Sequence, residues 1–238
     1  MIRVLSNNLH WPLDCISINP VRVAFYYQPN YVRVFGHNRV VPLSLFPISG
    51  KLYQITDLHQ KSSLDVSFER SVQKLTRHIQ SKPLSPLFLL HFGVSRSPYL
   101  RIEKQAVNEK NASIPDIDGV HCDGVTIDSK YALTKSLSSS IQTDKLMQHL
   151  QKIGFPTKVS NDAGRYVCNS TYYHSLQWTQ SQHASTTTSS IFIHVPPNSC
   201  IFFEDNRQFI WTSKVLCEAG KEILEWMIEE HVNRTFSS

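Results

Sequence analysis

An α/β fold, with a single domain of three α/β/α layers around a twisted, largely parallel central sheet, is predicted by two features of this sequence. Short apolar runs alternate along the chain with segments of helical periodicity. One of the runs, Leu87-Phe88-Leu89-Leu90-His91-Phe92, is nearly unbroken and follows Pro83 and Pro86. Its length and bounds suit a central strand covered on both faces. The 238 residues suffice for one such domain with a sizeable core, so a single domain over 1–238 is expected.

Arg3 to Leu5, Asn30 to Val34 and Asn38 to Leu45 read as strands rich in Val and Leu. Ser67 is placed as the N-cap of a helix in which Phe68, Val72, Leu75 and Ile79 recur at helical spacing. Thr143 is expected to cap a second helix with Leu146, Met147, Leu150 and Ile153 on one face, stopped by Gly154. Thr157 to Ser160 reads as a strand. A helix follows from Cys168, packing Val167, Tyr172 and Leu176. The last helix is expected over about 214–231, with Val215, Ala219, Ile223, Trp226 and Met227 inward. Ser136 to Ser140 and the Ser/Thr-rich Thr179 to Ser190 read as loops.

Composition narrows the function. Apolar content of 41% and charged content of 18% describe an ordinary globule rather than a disordered or membrane chain. The net charge of +5 is spread without a dense Lys/Arg block, which argues against nucleic acid or an anionic membrane as the main partner. No apolar run reaches the roughly 18 residues of a membrane span, and residues 1–8 lack a signal-like apolar segment. The cysteines at 15, 122, 168, 200 and 217 are odd in number and show no paired spacing. Reduced thiols in the cytoplasm are therefore expected, and sequons at Asn111, Asn169 and Asn233 carry no meaning there. The histidines show no metal-ligand spacing, and no cofactor is expected.

Chemistry points to two separated stretches. Ser160-Asn161-Asp162-Ala163-Gly164-Arg165-Tyr166-Val167-Cys168 puts a thiol at a helix start, behind a strand and a glycine-bearing turn. Unpaired backbone N–H groups and the positive end of the helix dipole favour a thiolate in such a place. Ile191-Phe192-Ile193-His194-Val195-Pro196-Pro197 sets a histidine inside an apolar strand. A cysteine and a histidine distant in sequence suit a thiol hydrolase once the fold joins them.

Asp162 to Asn169, with Tyr172-Tyr173-His174-Ser175-Leu176, resembles the nucleophile block of the type I pyroglutamyl peptidases, the pyrrolidone-carboxylate peptidase family of cysteine peptidases. Phe192-Ile193-His194-Val195-Pro196 is similar to that family's histidine block. His91-Phe92-Gly93-Val94-Ser95, followed by Ile102-Glu103-Lys104 and Ala106-x-Asn108, is similar to the block with its catalytic glutamate. Ala112-Ser113-Ile114-Pro115-Asp116-x-x-Gly119 matches a further stretch of bacterial members. The resemblance covers residues 67–232. It implies Cys168 as nucleophile, His194 as general base and acid, and Glu103 as the third member. The implied substrate is a peptide with N-terminal pyroglutamate, taken without a metal. Arg165 is assigned to clamping the turn before the nucleophile, and Tyr172 and Tyr173 to packing.

Three departures from the family pattern are visible. Its opening Gly-Phe-x-Pro-Phe loop and later Asn correspond best to Leu9-His10-Trp11-Pro12-Leu13 and Asn19. His10 and Leu13 thus stand where the family has two phenylalanines that line the lactam pocket, each contact of that type contributing about 0.5–1.5 kcal/mol beyond burial. His10, Leu13, Asn19, Tyr166 and Val167 are the implied substrate-binding residues. About twenty extra residues follow Val41-Pro42-Leu43, around 46–66, and are expected as an inserted surface loop. Between Gly93 and Glu103, Arg96 replaces a glycine and one residue is missing. Three readings are open at this point: a pyroglutamyl cysteine peptidase, a paralogue of altered specificity or little activity, and a non-enzymatic binding protein on the same scaffold. Whether the chain is a monomer or a homo-oligomer is likewise open.

Overall fold

The computed structural model describes residues 19–27, 45–48, 51–80, 87–181, 188–204 and 207–236, the first three strands by their backbone. The chain begins with β1 (Asn19–Tyr27), β2 (Leu45–Ile48) and β3 (Lys51–Ser63). Helix α1 (Arg70–Gln80) leads to β4 (Leu87–Val94) and β5 (Leu100–Glu103). Four short strands follow: β6 (Gln105–Val107), β7 (Lys110–Ala112), β8 (Cys122–Val125) and β9 (Ser136–Ser138). Then come α2 (Thr143–Lys152), β10 (Thr157–Ser160), α3 (Val167–Ser181) and β11 (Thr188–Val195). The hairpin strands β12 (Cys200–Glu204) and β13 (Arg207–Trp211) precede α4 (Ser213–Phe236).

The main sheet has seven strands in the order β10-β5-β11-β4-β1-β3-β2. Its pairings are parallel except β5 with β11 and β2 with β3. Because side chains alternate along a strand, each face can be read by parity. Phe88, Leu90 and Phe92 of β4, Ile102 of β5, and Ile191, Ile193 and Val195 of β11 join one buried cluster with Leu146 and Leu150 of α2 and Ile223, Leu224, Met227 and Ile228 of α4. The opposite parity meets α1 and α3. Leu89 packs with Leu75 and Ile79, and Phe192 with Tyr172, Tyr173 and Leu176. This is the expected three-layer arrangement. Its consequence for function is that Glu103 and His194 fall on the α3 face.

Helix ends follow local chemistry. Ser67 Oγ accepts the Arg70 N–H at 3.0 Å, the expected capping bond of α1. Helix α2 stops at a Schellman motif: Gly154 has φ +95°, its N–H donates to Gln151 O, and the Phe155 N–H donates to Leu150 O. Its start differs from expectation. Thr143 is the first helical residue and Gln142 holds the cap position without a side-chain capping bond. Thr143 is buried and its N–H is already taken by Ile141 O, so the backbone turns one residue earlier.

Other expectations are corrected. The stretch around 46–66, expected as a surface loop, holds β2 and β3 and ends in the buried Leu64 and Val66. Leu52, Tyr53, Ile55 and Leu58 favour strand, and β3 finds a partner on each side, parallel β1 and antiparallel β2. Ser136–Ser138, expected in a loop, pairs antiparallel with β6, and α3 and β11 extend into both ends of the segment from Thr179 to Ser190. The serines there lack apolar alternation but fit a hydrogen-bonded interior: Ser139 Oγ donates to Ser190 O at 2.6 Å. The expected strands Arg3 to Leu5 and Asn30 to Val34, and Asn38 to Leu45 apart from its last residue, lie outside the described residues.

Candidate active site

The site forms where β5, β11 and β4 lie side by side beneath the start of α3. In the antiparallel register, Phe192 of β11 faces Glu103 and His194 faces Arg101; on the other side His194 pairs with Gly93 of β4. Glu103 is fully buried and His194 is 6% exposed. The Glu103 carboxylate accepts the His194 Nδ1–H through Oε1 at 2.7 Å. That bond leaves the other ring nitrogen for a second partner, and the Cys168 side chain is a hydrogen-bond partner of His194. The structure thus brings Cys168, His194 and Glu103 together from three elements.

Electrostatics follow from this geometry. Burial disfavours the charged imidazolium of His194, but hydrogen bonds to Cys168 and Glu103 and the negative charge on both outweigh it, raising its pKa to about 9. Tyr172, also fully buried, donates its hydroxyl to the Glu103 carbonyl oxygen at 2.9 Å, and burial pushes its own ionisation upward. The strand end that carries Glu103 is thereby tied to α3. His91 stacks on Phe192 at 5.9 Å between centroids, and the Phe192 ring in turn lies 4.8 Å from that of His194. His91 Nε2 meets Ser175 Oγ at 2.8 Å, and burial holds its imidazole neutral, its pKa lowered to about 3.

The nucleophile turn is cross-braced. Gly164 adopts φ +80°, and its N–H donates to Asp162 Oδ1 at 3.0 Å. Arg165 reaches Glu109 Oε2 at 2.8 Å and Asp162 Oδ1 at 2.7 Å, the clamping role expected of it. Directly after Cys168, buried Asn169 accepts the Val107 N–H and donates to the carbonyls of Val107 and Glu109, fixing α3 against β6. Its sequon is therefore structural, since the amide is fully engaged within the protein.

Gly93 sets the approach of the thiol. A Cβ there would lie 3.1 Å from Cys168 Sγ and 2.9 Å from the Phe192 ring. Gly93→Ala is expected to displace the thiol from His194 and slow alkylation of Cys168 by iodoacetamide about tenfold or more, given the cost of ångström-scale misplacement. An unchanged rate would show that the strand yields and the thiol does not.

The implied substrate-binding residues are placed unevenly. His10 and Leu13 lie outside the described residues, and Asn19 opens β1, its backbone level with Tyr53 of β3. Tyr166 stands before α3, its hydroxyl donating to Pro115 O at 2.9 Å and its ring edge-on to Phe68. Val167 is fully buried, its side chain packed with Val66, Phe68 and Cys122. Sequence reasoning missed Arg101 and the close approach at Gly93. Arg101 carried a signal, since residues two apart on a strand share a face and Glu103 was already singled out.

Among the described residues no group of three His, Cys, Asp or Glu side chains could hold a metal ion, and no helix is long and apolar enough to cross a membrane. A three-layer α/β protein with a thiol, an imidazole and a buried carboxylate hydrogen-bonded in sequence is the class so defined. The chain belongs to the pyroglutamyl peptidase family, whose model matches residues 47–207. It is 30% identical over 135 residues to the pyrrolidone-carboxylate peptidase of Halalkalibacterium halodurans, covering 56% of this chain and 64% of that relative. It is 32% identical over 139 residues to that of Pyrococcus furiosus, covering 56% and 62%. The matched part thus spans less than two thirds of either relative. The fold is similar to the crystal structures of pyrrolidone carboxyl peptidases from Fervidobacterium islandicum and Pyrococcus furiosus, each with a TM-score of 0.64 and 23% identity. The alignments cover 88% and 89% of this chain, and 98% and 99% of those chains.

Proposed function

We propose that this protein removes an N-terminal pyroglutamyl residue from peptides by cysteine-based nucleophilic catalysis. The observation that carries this reading is the hydrogen-bonded series from Cys168 through His194 to buried Glu103. Membership of the family supports the choice of substrate. In this mechanism Cys168 Sγ, as thiolate beside the His194 imidazolium, attacks the carbonyl carbon that follows the lactam ring. The carbon–nitrogen bond breaks and His194 gives its proton to the departing amine, leaving a pyroglutamyl thioester. Water then attacks the thioester, His194 takes a proton from it, and free pyroglutamate leaves as the Cys168 thiolate is restored. Backbone N–H groups at the start of α3 stabilise the oxyanion of both steps, a donor of that kind contributing about 100- to 1000-fold in rate. Glu103 keeps His194 in its tautomer and stabilises the imidazolium.

Recognition is assigned to His10, Leu13, Asn19 and Tyr166 with the main chain of Val167. The lactam is flat, uncharged and carries one N–H donor and one carbonyl acceptor, so shape and two hydrogen bonds suffice to select it. No disulfide joins Cys122, Cys168, Cys200 and Cys217, which suits a reducing compartment such as the cytoplasm.

The test is a set of peptides identical but for an N-terminal pyroglutamyl, glutaminyl or prolyl residue, followed by mass spectrometry. Loss of the first residue from the pyroglutamyl peptide alone supports the reading; equal cleavage of the prolyl peptide, or none at all, overturns the substrate assignment. Glu103→Gln keeps a neutral acceptor at the same place and is expected to lower kcat/KM about 10- to 1000-fold, less than loss of Cys168 or His194. Wild-type rates in that variant would remove Glu103 from the mechanism.

A further inference from the structure

We infer that Arg101 is a positioning residue that balances the charge of Glu103 while His194 delivers its proton to the departing amine, an inference that rests on the proposed hydrolysis. Arg101 and Glu103 lie two apart on β5 and so share the face that looks toward α3. The Arg101 guanidinium Nη2 is 3.2 Å from Glu103 Oε1, the oxygen that also holds His194 Nδ1–H at 2.7 Å. Its place is held by two further bonds, to Ser160 Oγ at 2.7 Å and to the Asp162 carbonyl at 2.6 Å. Glu103 is fully buried, and its second oxygen, Oε2, has no hydrogen-bond partner among the described residues.

A buried carboxylate in that state depends on neighbouring cations. While His194 is an imidazolium, two cations flank Glu103. Once His194 has passed its proton to the leaving nitrogen, Arg101 is the cation that remains in ion-pair contact with it, and a guanidinium stays charged throughout. Without Arg101, deprotonated His194 would leave Glu103 with an uncompensated charge, so His194 would hold its proton more tightly and serve as a weaker acid. The other titratable groups facing the pair are Cys168 and Tyr172 from α3, Asp162 from the turn, and His91 of β4 across the Phe192 ring. None of these is a permanent cation. Amide hydrolysis, whose leaving nitrogen must be protonated, therefore depends on Arg101. An aryl ester, whose phenolate leaves without a proton, does not.

The experiment uses the full chain with Arg101→Met, Arg101→Lys and Ser160→Ala. Two readouts are taken: the His194 titration midpoint by NMR, and kcat/KM for a pyroglutamyl amide against a pyroglutamyl 4-nitrophenyl ester. Arg101→Met is expected to raise the His194 midpoint and to lower amide turnover about tenfold or more while ester turnover stays within about threefold. Arg101→Lys restores a large part of the amide rate. Ser160→Ala, which removes one anchor of the guanidinium and keeps its charge, leaves the midpoint near that of the wild type. A midpoint unmoved or lowered in Arg101→Met, or amide and ester rates falling together, overturns the inference and reduces Arg101 to a tie between β5 and the nucleophile turn. If the wild type turns over neither compound, the proposed hydrolysis fails and the His194 midpoint alone decides the role of Arg101.

Discussion

Replacing Cys168 by alanine is expected to cut hydrolysis of a pyroglutamyl amide by about 10⁵-fold or more, since the nucleophile and its partners act as a unit. The fold should tolerate the change. Cys168 is only partly buried, at the edge of the cluster formed by Tyr172, Leu176 and Phe192, and the new side chain is smaller. The thermal midpoint is expected to stay within about 2–4 °C, the shift that corresponds to 1 kcal/mol for a chain of this size. Two of the remaining described cysteines, Cys122 and Cys200, offer no substitute. Cys122 is buried beside Val167, and Cys200 packs against the α2/α4 cluster on the opposite face of the sheet. Substantial residual turnover in Cys168→Ala would place the nucleophile elsewhere.

The second large effect concerns His194. His194→Ala removes both the base that partners the thiol and the acid that serves the leaving amine, and a loss of about 10⁴-fold or more in kcat/KM is expected. In the unsubstituted protein the competent state pairs thiolate with imidazolium, so the pH profile should be bell-shaped. Its alkaline limb reports the loss of the imidazolium and should fall near pH 9, where hydrogen bonds and negative charge from Cys168 and Glu103 have moved His194 against the effect of burial. The same shift has a consequence for the fold. The folded-state pKa lies above the ordinary 6.5, so the stabilisation it represents is fully present below 6.5 and is lost as pH rises through about 9. In Glu103→Gln one source of that shift is gone, and the alkaline limb should move to lower pH. A limb that stayed in place would show that Glu103 does not govern the His194 proton.

Much of this was legible in the sequence, for reasons that differ from element to element. The strand β4 shows as an unbroken apolar run because it is covered on both faces. The end of α2 shows as Gly154 because a Schellman turn needs a positive φ. Cys168, His194 and Glu103 were each readable, yet their meeting was not. It depends on β11 lying between β5 and β4, pairings between residues about ninety positions apart that no local periodicity encodes.

The elements that escaped prediction did so for different reasons. Strands β6, β7 and β9 are three residues each, too short to show a period of two, although Ala106 and Leu137 pack beside Tyr172 and Leu176. The start of β11 is polar, with Ser190 O accepting the Ser139 hydroxyl. The hairpin β12–β13 was overlooked although Ile201, Phe202, Phe203, Phe209 and Ile210 flank Asp205-Asn206, residues suited to a turn. Residues 46–66 were read as a loop because the resemblance marked them as extra, while Leu52-Tyr53 and Ile55 already favoured strand. Arg101 was not singled out, although it lies two residues before Glu103 on the same strand. The contact itself comes into view when β5 is aligned against β11, where Arg101 reaches the Glu103 oxygen that also holds His194.

The measurement that tests the central claim most directly is rapid acid quenching of the protein during turnover of a pyroglutamyl 4-nitrophenyl ester, followed by peptide mapping of the trapped species. A single pyroglutamyl thioester on the peptide that contains Cys168, formed at the rate of the nitrophenolate burst and absent from Cys168→Ala, is the predicted result. A pyroglutamyl group on any other residue, or turnover without a covalent species at Cys168, would contradict it.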